Sequence, residues 1–312
     1  MDTTRLAPSP TGALHLGNAR TFLVNWLLAR QNGWRIVLRI EDLDGPRVKR
    51  GADEQAIEDL RWLGIDWDEG PIYQSRRIVS YRKALEKLLE QGDAYFCGCT
   101  RQEVESSQSA PHAEDGSVIY PGTCRKLNLT DPTKAVFAFG GAPKCVRFKN
   151  IPGSISFTDQ FCGPQSFDAP TRIGDFVIGK LVDAPSYQLA VVVDDAAMGV
   201  TDVVRGDDLL DSAARQMLLY GHLKLGDPPR YWHLPLVVGP DGKRLAKRHG
   251  DTRISFYRQQ GVSAGRVRAL LGRWCGIEHD DEISVEELLA RFSIERIPRQ
   301  RIIMKSTDAP IA

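Results

Sequence analysis

Several things are scarce in this 312-residue chain, and each scarcity narrows what it can be. Cysteine is sparse: six residues are too few for a disulfide scaffold. Three of the six crowd between positions 97 and 124, where metal binding suits a reducing compartment better than bridging. Long apolar runs are missing. No window approaches the eighteen apolar residues of a membrane span, and the opening MDTTR has no basic segment leading into an apolar one, so neither insertion nor export is expected and a cytoplasmic location is. Charge of either sign is not in excess: 41 Lys and Arg against 40 Asp and Glu leave +1, so contact with nucleic acid must rest on local basic patches. No internal repeat is visible. What remains is 42% apolar and 26% charged, a globular composition with enough apolar residues for two or three units.

The order of elements is legible from the amino end. A short apolar stretch at residues 5–7 is cut by Pro8 and Pro10. Gly12, His15 and Gly17 then lead into residues 19–32, apolar at helical spacing. RIVLRI at 35–40 reads as a strand that ends in Glu41, Asp42 and Asp44. Strand, glycine-containing loop, helix and strand make a parallel βαβ unit. Residues 52–63 and 80–91 carry further helical patterns. From 92 to about 183, short apolar runs at 135–139, 146–148, 155–157 and 176–178 alternate with Gly and Pro, as in an inserted strand-rich subdomain. Within it, residues 106–117 are small and polar, with no chemistry assigned. LAVVV at 189–193, closed by Asp194 and Asp195, reads as a strand returning to a covered parallel sheet, and 209–223 as a helix. Beyond 262 the chain reads as helix and turn.

The first βα turn of an open sheet is where nucleotide phosphates bind. Backbone N–H groups at a helix start attract anions, and glycine lets the main chain approach. The string there is RLAPSPTGALHLGNAR, residues 5–20. With RIEDLD at 39–44, WLGIDWDEGP at 62–71, YQLAVVVDD at 187–195, VVRGDDLL at 203–210 and RLAKR at 244–248, it resembles the class I glutamyl-tRNA synthetase family, in six ordered blocks spanning most of the chain. HLGN at 15–18 stands where that family has its HIGH signature, and RLAKR where it has the lysine signature.

The resemblance implies an α/β fold: a Rossmann-like parallel sheet as catalytic core (1–92 and 183–222), an inserted acceptor-type subdomain with a zinc site (93–182), and a small helical carboxyl-terminal subdomain with the lysine loop (223–312). It implies that His15, Gly17, Asn18 and Lys247 handle ATP, with His15, Asn18 and Lys247 catalytic through charge stabilisation rather than covalent chemistry. Two positions depart from the family pattern: Asn18 replaces a histidine and can still donate a hydrogen bond, whereas Ala246 replaces a serine and cannot. An amino acid with an acidic side chain presents one ammonium and two carboxylates, which calls for an acid and arginines. The family's glutamate positions fall on Arg5, Leu6, Ala7, Pro8, Ser9, Glu41, Tyr187 and Arg205. Ser9 and Glu41 face the amino group; Arg5, Tyr187 and Arg205 face carboxylates, with the pairing of arginine to carboxylate left open. Asp194 and Asp195 are carboxylates of the type that suits Mg²⁺, but Mg²⁺ is expected to arrive with ATP.

Cys97-Gly98-Cys99 and Cys124 place three thiols within 28 positions, and Zn²⁺ wants four ligands. Ligand chemistry alone favours His112 as the fourth, since a phenol must first lose a proton at pKa about 10. A shortened branch of the family, which attaches glutamate to queuosine in tRNA(Asp), points instead to Tyr120, giving Cys97, Cys99, Tyr120 and Cys124 as a structural zinc site. The same branch is expected from length: about 65 residues follow Lys247, too few for a large anticodon-reading region. The implied partners are L-glutamate, ATP with Mg²⁺ and queuosine-bearing tRNA(Asp), with a monomer expected. Basic residues at 266, 268, 273, 296, 299 and 301 are candidate phosphate contacts. A minimal enzyme charging a tRNA 3′ end and a non-enzymatic zinc-bearing RNA-binding paralogue are the alternatives.

Overall fold

A computed structural model describes residues 1–106, 119–181, 184–243, 245, 250–278, 281–305 and 308. The chain divides into two compact units: Met1–Tyr73 with Val200–Asp207 and Trp232–Ala312, and Gln74–Gly199 with Asp208–Tyr231.

The first unit is built on a five-stranded sheet in the order Arg230–Leu234, Asp202–Gly206, Thr3–Leu6, Arg35–Ile40, Glu69–Tyr73. The pairs among Asp202–Gly206, Thr3–Leu6, Arg35–Ile40 and Glu69–Tyr73 are all parallel, so these strands end at one edge. Thr3–Leu6 (TTRL) is wholly buried, as is Arg35–Ile40 (RIVLRI) after its first residue, and of the two only the second reads as a largely apolar run. Helix Leu16–Asn32 joins these two strands. It buries Leu16, Ala19, Leu23, Val24, Leu27 and Leu28, and ends at Gly33 in the left-handed region (φ 65°). A polar pin fixes its register: the Thr4 hydroxyl donates to Asn25 Oδ1 (2.8 Å), and Asn25 Nδ2 donates to the Arg5 carbonyl (2.9 Å). Fully buried Arg20 donates from Nη1 to the Pro235 carbonyl (2.7 Å) and from Nε to that of Trp274 (3.2 Å), tying this helix to the carboxyl-terminal third. Helices Ala52–Trp62, Ile254–Gln259, Ala264–Arg273 and Val285–Arg291 complete the unit.

The second unit contains a four-stranded antiparallel sheet, ordered Ala94–Cys97, Cys145–Phe148, Val177–Leu181, Ala184–Pro185, and a hairpin of Ser154–Asp159 with Gly163–Asp168. Helices Ile78–Glu90, Tyr187–Ala197 and Leu210–Leu223 pack a core that includes Leu85, Leu88, Phe148, Ile178, Leu189, Val192 and Leu219.

Two sequence expectations are corrected here. Residues 189–193 are not a returning strand but part of helix Tyr187–Ala197. A short apolar run is ambiguous between buried strand and buried helix, and here eleven helical residues bury Leu189, Ala190, Val191 and Val192 on more than one face. The strand that returns to the sheet is Asp202–Gly206. Residues 135–139 belong to helix Pro132–Phe139, started by Asp131, whose Oδ1 accepts from Lys134 N (2.8 Å), with proline in its first turn and Gly140 (φ 65°) after its end. Those are helix start and stop signals that the apolar run had masked.

Candidate functional site

The carboxyl edge of the parallel sheet gathers most of the expected small-molecule residues. Arg5 and Arg205 lie at or near the ends of neighbouring strands, both about 95% buried, and Arg5 Nη1 donates to the Val204 carbonyl (3.3 Å). Leu6 is buried, and beyond it the turn closes on the second strand: Glu41 N donates to the Pro8 carbonyl (3.0 Å), and the Ser9 hydroxyl to the Glu41 carbonyl (3.2 Å). Ala7 stands half-buried between them. The Glu41 carboxylate accepts from fully buried Arg39 (3.1 Å), and Arg205 Nε donates to His233 Nε2 (2.9 Å), with His233 also fully buried. Arg39 and His233 went unmarked in the sequence reading. Arg39 lies inside the RIEDLD block, but nothing local signals His233, which reaches Arg205 only through the sheet. Tyr187 begins its helix in the second unit, 38% exposed.

His15 caps the helix that follows the turn: its Nδ1 accepts from Asn18 N (3.4 Å). Gly17 makes room for this, since a Cβ there would stand 3.3 Å from the imidazole. The segment after the lysine signature lies against the same residues. Leu16 N donates to the Thr252 carbonyl (2.9 Å), Ile254 N donates to the Leu14 carbonyl (2.9 Å), and His15 bridges Arg253. Lys247 and Ala246 lie outside the described residues, as does His112. Asp194 is a structural acid here: buried, it accepts from Gln74 Nε2 (2.9 Å), Arg77 Nε (2.6 Å) and Tyr81 Oη (2.7 Å).

The second unit brings Cys97, Cys99 and Cys124 together, their sulfurs within 4.8 Å of one another. Tyr120 Oη stands 3.4 Å from both Cys97 Sγ and Cys99 Sγ and accepts from Cys124 N (2.8 Å); Cys99 Sγ is 3.5 Å from Cys124 Sγ. Tetrahedral zinc with thiolate and oxygen ligands sets its donors roughly 3.5–3.8 Å apart, so this donor set fits the ion. Gly98 is required at the turn, because a Cβ would meet the Phe139 ring at 2.8 Å. Cys145, for which the sequence suggested no partner, lies opposite Cys97 in the antiparallel pair. A hydrogen bond from Cys145, helped by Tyr120 and Arg147, holds the Cys97 thiol far below the ordinary thiol range, whereas the same bond raises Cys145 and burial pushes Cys99 up to about 11. All six cysteines are free of disulfides.

The catalytic domain of the class I tRNA synthetases (E and Q) matches residues 3–307, so the chain belongs to that family and is a ligase-type enzyme. Within it the chain is similar to the glutamyl-Q tRNA(Asp) synthetases: 48% identical to that of Symbiobacterium thermophilum (96% of this chain, 94% of that protein) and 43% to that of Rhodopirellula baltica (96% and 95%). A glutamate–tRNA ligase of Nitratidesulfovibrio vulgaris strain DP4 is also 43% identical over 94% of this chain, but only 62% of that longer protein is covered. Among solved structures, a glutamate tRNA ligase from Elizabethkingia meningosepticum in complex with its amino acid superposes with a TM-score of 0.81 at 28% identity, covering 99% of this chain and 68% of that one. Among the described residues no helix is long and apolar enough to cross a membrane.

Proposed function

We propose that the protein activates L-glutamate with ATP and transfers the glutamyl group to queuosine in the anticodon loop of tRNA(Asp). The observation that carries the proposal is the backbone pairing of residues 14–16 with 252–254, which holds the histidine signature against the chain leaving the lysine loop. In activation, a glutamate carboxylate oxygen attacks the α-phosphorus and pyrophosphate departs, leaving glutamyl-adenylate. His15, through its Nε2 proton, and Lys247 balance the phosphate charge that builds during this step, with Gly17 and Asn18 beside them. Arg5 and Arg205 receive carboxylates, and Glu41 and Ser9 the ammonium. A hydroxyl of the queuosine cyclopentene-diol then attacks the carbonyl, AMP leaves, and an ester forms. Mg²⁺ enters with ATP.

The extent of the similarity supports the choice of acceptor: the chain is matched nearly end to end with the glutamyl-Q proteins, and covers 62% of a glutamate–tRNA ligase. Cys97, Cys99, Tyr120 and Cys124 would hold zinc, whose closed coordination clamps the inserted subdomain and leaves no position open for substrate. The protein acts as a cytoplasmic monomer in this reading. Acylation with radiolabelled glutamate of queuosine-containing and queuosine-free tRNA(Asp) in parallel tests the proposal. Label confined to the modified base supports it; label on the terminal adenosine of both tRNAs overturns it.

A further inference from the structure

The geometry points to Arg147 as the counter-charge that lets a tyrosine serve as the fourth zinc ligand. The inference rests on the zinc site proposed above. Three thiolates and a phenolate bring four negative charges to a divalent ion, leaving an excess of two inside a buried cluster, and buried charge without a partner is costly. Arg147 is placed to offset it. Its register opposite Tyr95, with Cys145 opposite Cys97, puts Arg147, Cys145, Tyr95 and Cys97 on one face of the antiparallel sheet. From there the guanidinium carbon lies 3.7 Å from the centre of the Tyr120 ring, within the range of cation–π attraction. Nη1 is anchored by the Asp175 carbonyl (3.0 Å). The residue is 8% exposed, and its Nε has no hydrogen-bond partner among the described residues. The guanidinium also hydrogen-bonds the Cys97 thiol, so it reaches the ligand cluster at a sulfur as well as over the ring. Arg147 is thus a positioning residue for the metal, acting through Tyr120 and Cys97 rather than touching the ion.

The test uses the full chain as Arg147→Met, Arg147→Lys and Tyr120→Phe. Zinc content is measured by elemental analysis, zinc affinity by chelator competition, and ligation by the absorption of the cobalt-substituted protein. Arg147→Met is expected to weaken zinc binding about 10- to 100-fold, the range for residues that support metal ligands. Its cobalt spectrum should lose the phenolate contribution and match that of Tyr120→Phe, while Arg147→Lys recovers part of the affinity. If wild type holds zinc and Arg147→Met binds it equally well with an unchanged spectrum, the assignment to Arg147 fails and the zinc site stands. If wild type holds no zinc, both fail. Should Arg147→Met not fold, Arg147→Gln takes its place: wild-type zinc affinity and spectrum in that neutral variant would overturn the assignment.

Discussion

His15 and Arg253 form an isolated antiparallel bridge, flanked by hydrogen bonds from Leu16 N to the Thr252 carbonyl and from Ile254 N to the Leu14 carbonyl, each 2.9 Å. Residues separated by well over two hundred positions are thereby held main chain to main chain. Side-chain substitutions at this junction therefore test chemistry more than scaffold.

His15 has two separable duties. As helix cap its Nδ1 accepts a backbone N–H; in the proposed mechanism its Nε2 would donate to phosphate. His15→Ala should lose about 1 kcal/mol of stability with the cap and about 10²-fold in ATP–pyrophosphate exchange. His15→Asn keeps a capping acceptor, so it should unfold at the wild-type midpoint while exchange remains low. Equal stability loss in both variants would sink the division.

Replacing Lys247 with Ala removes a charge from the lysine loop. Glutamate-dependent exchange should fall by about 10²–10³-fold, with thermal unfolding unchanged. Exchange at the wild-type rate would remove Lys247 from the mechanism.

His233 orients Arg205 through a 2.9 Å hydrogen bond in a fully buried setting. His233→Leu frees the guanidinium to swing. Losing one such bond is worth about 1–1.5 kcal/mol, which should appear as a roughly tenfold rise in the KM for glutamate with a smaller change in kcat. An unchanged KM would show that Arg205 needs no such brace.

Asp59 predicts a pH dependence of stability. It is fully buried, neither carboxylate oxygen has a hydrogen-bond partner among the described residues, and Arg258 Nη2 is 3.7 Å away. Burial raises its pKa to about 6, against partial relief from Arg258. The folded state therefore binds the proton more tightly than the unfolded chain. Taking acid pH as the reference, this group costs nothing below pH about 4, destabilises increasingly as pH rises toward 6, and does so by a constant amount above it. Asp59→Asn should flatten the stability profile between these limits and raise the melting temperature at pH 8 more than at pH 4. A parallel profile in the variant would refute the assignment.

Cys124→Ser should lose zinc and lower the midpoint of the second unit's unfolding. Chelator should lower the wild-type midpoint to the same value and leave the variant's unchanged. A wild-type midpoint indifferent to chelator would count against a structural metal.

The elements legible in advance were those whose apolar spacing and punctuation agree: strand, loop, helix and strand through residue 40, and the helix ending at Leu223. Residues 189–193 misled because five apolar residues in a row carry no period; only their packing on several sides shows a helix. The cysteine cluster was legible because its thiols are close in sequence, whereas Cys145 and Arg147 reach it through antiparallel strand pairing that no local pattern encodes.

Motif order and spacing by themselves determined the family, the parallel α/β class and the residues proposed to grip a phosphate, a dicarboxylic amino acid and a metal, because chemistry of that kind demands particular side chains near particular turns. Tertiary structure alone decided which buried groups support them: His233 behind Arg205, Arg39 behind Glu41, Arg147 over Tyr120. Those partners are chosen by strand register and by the need to satisfy charge away from water, conditions that arise only once distant segments share one interior.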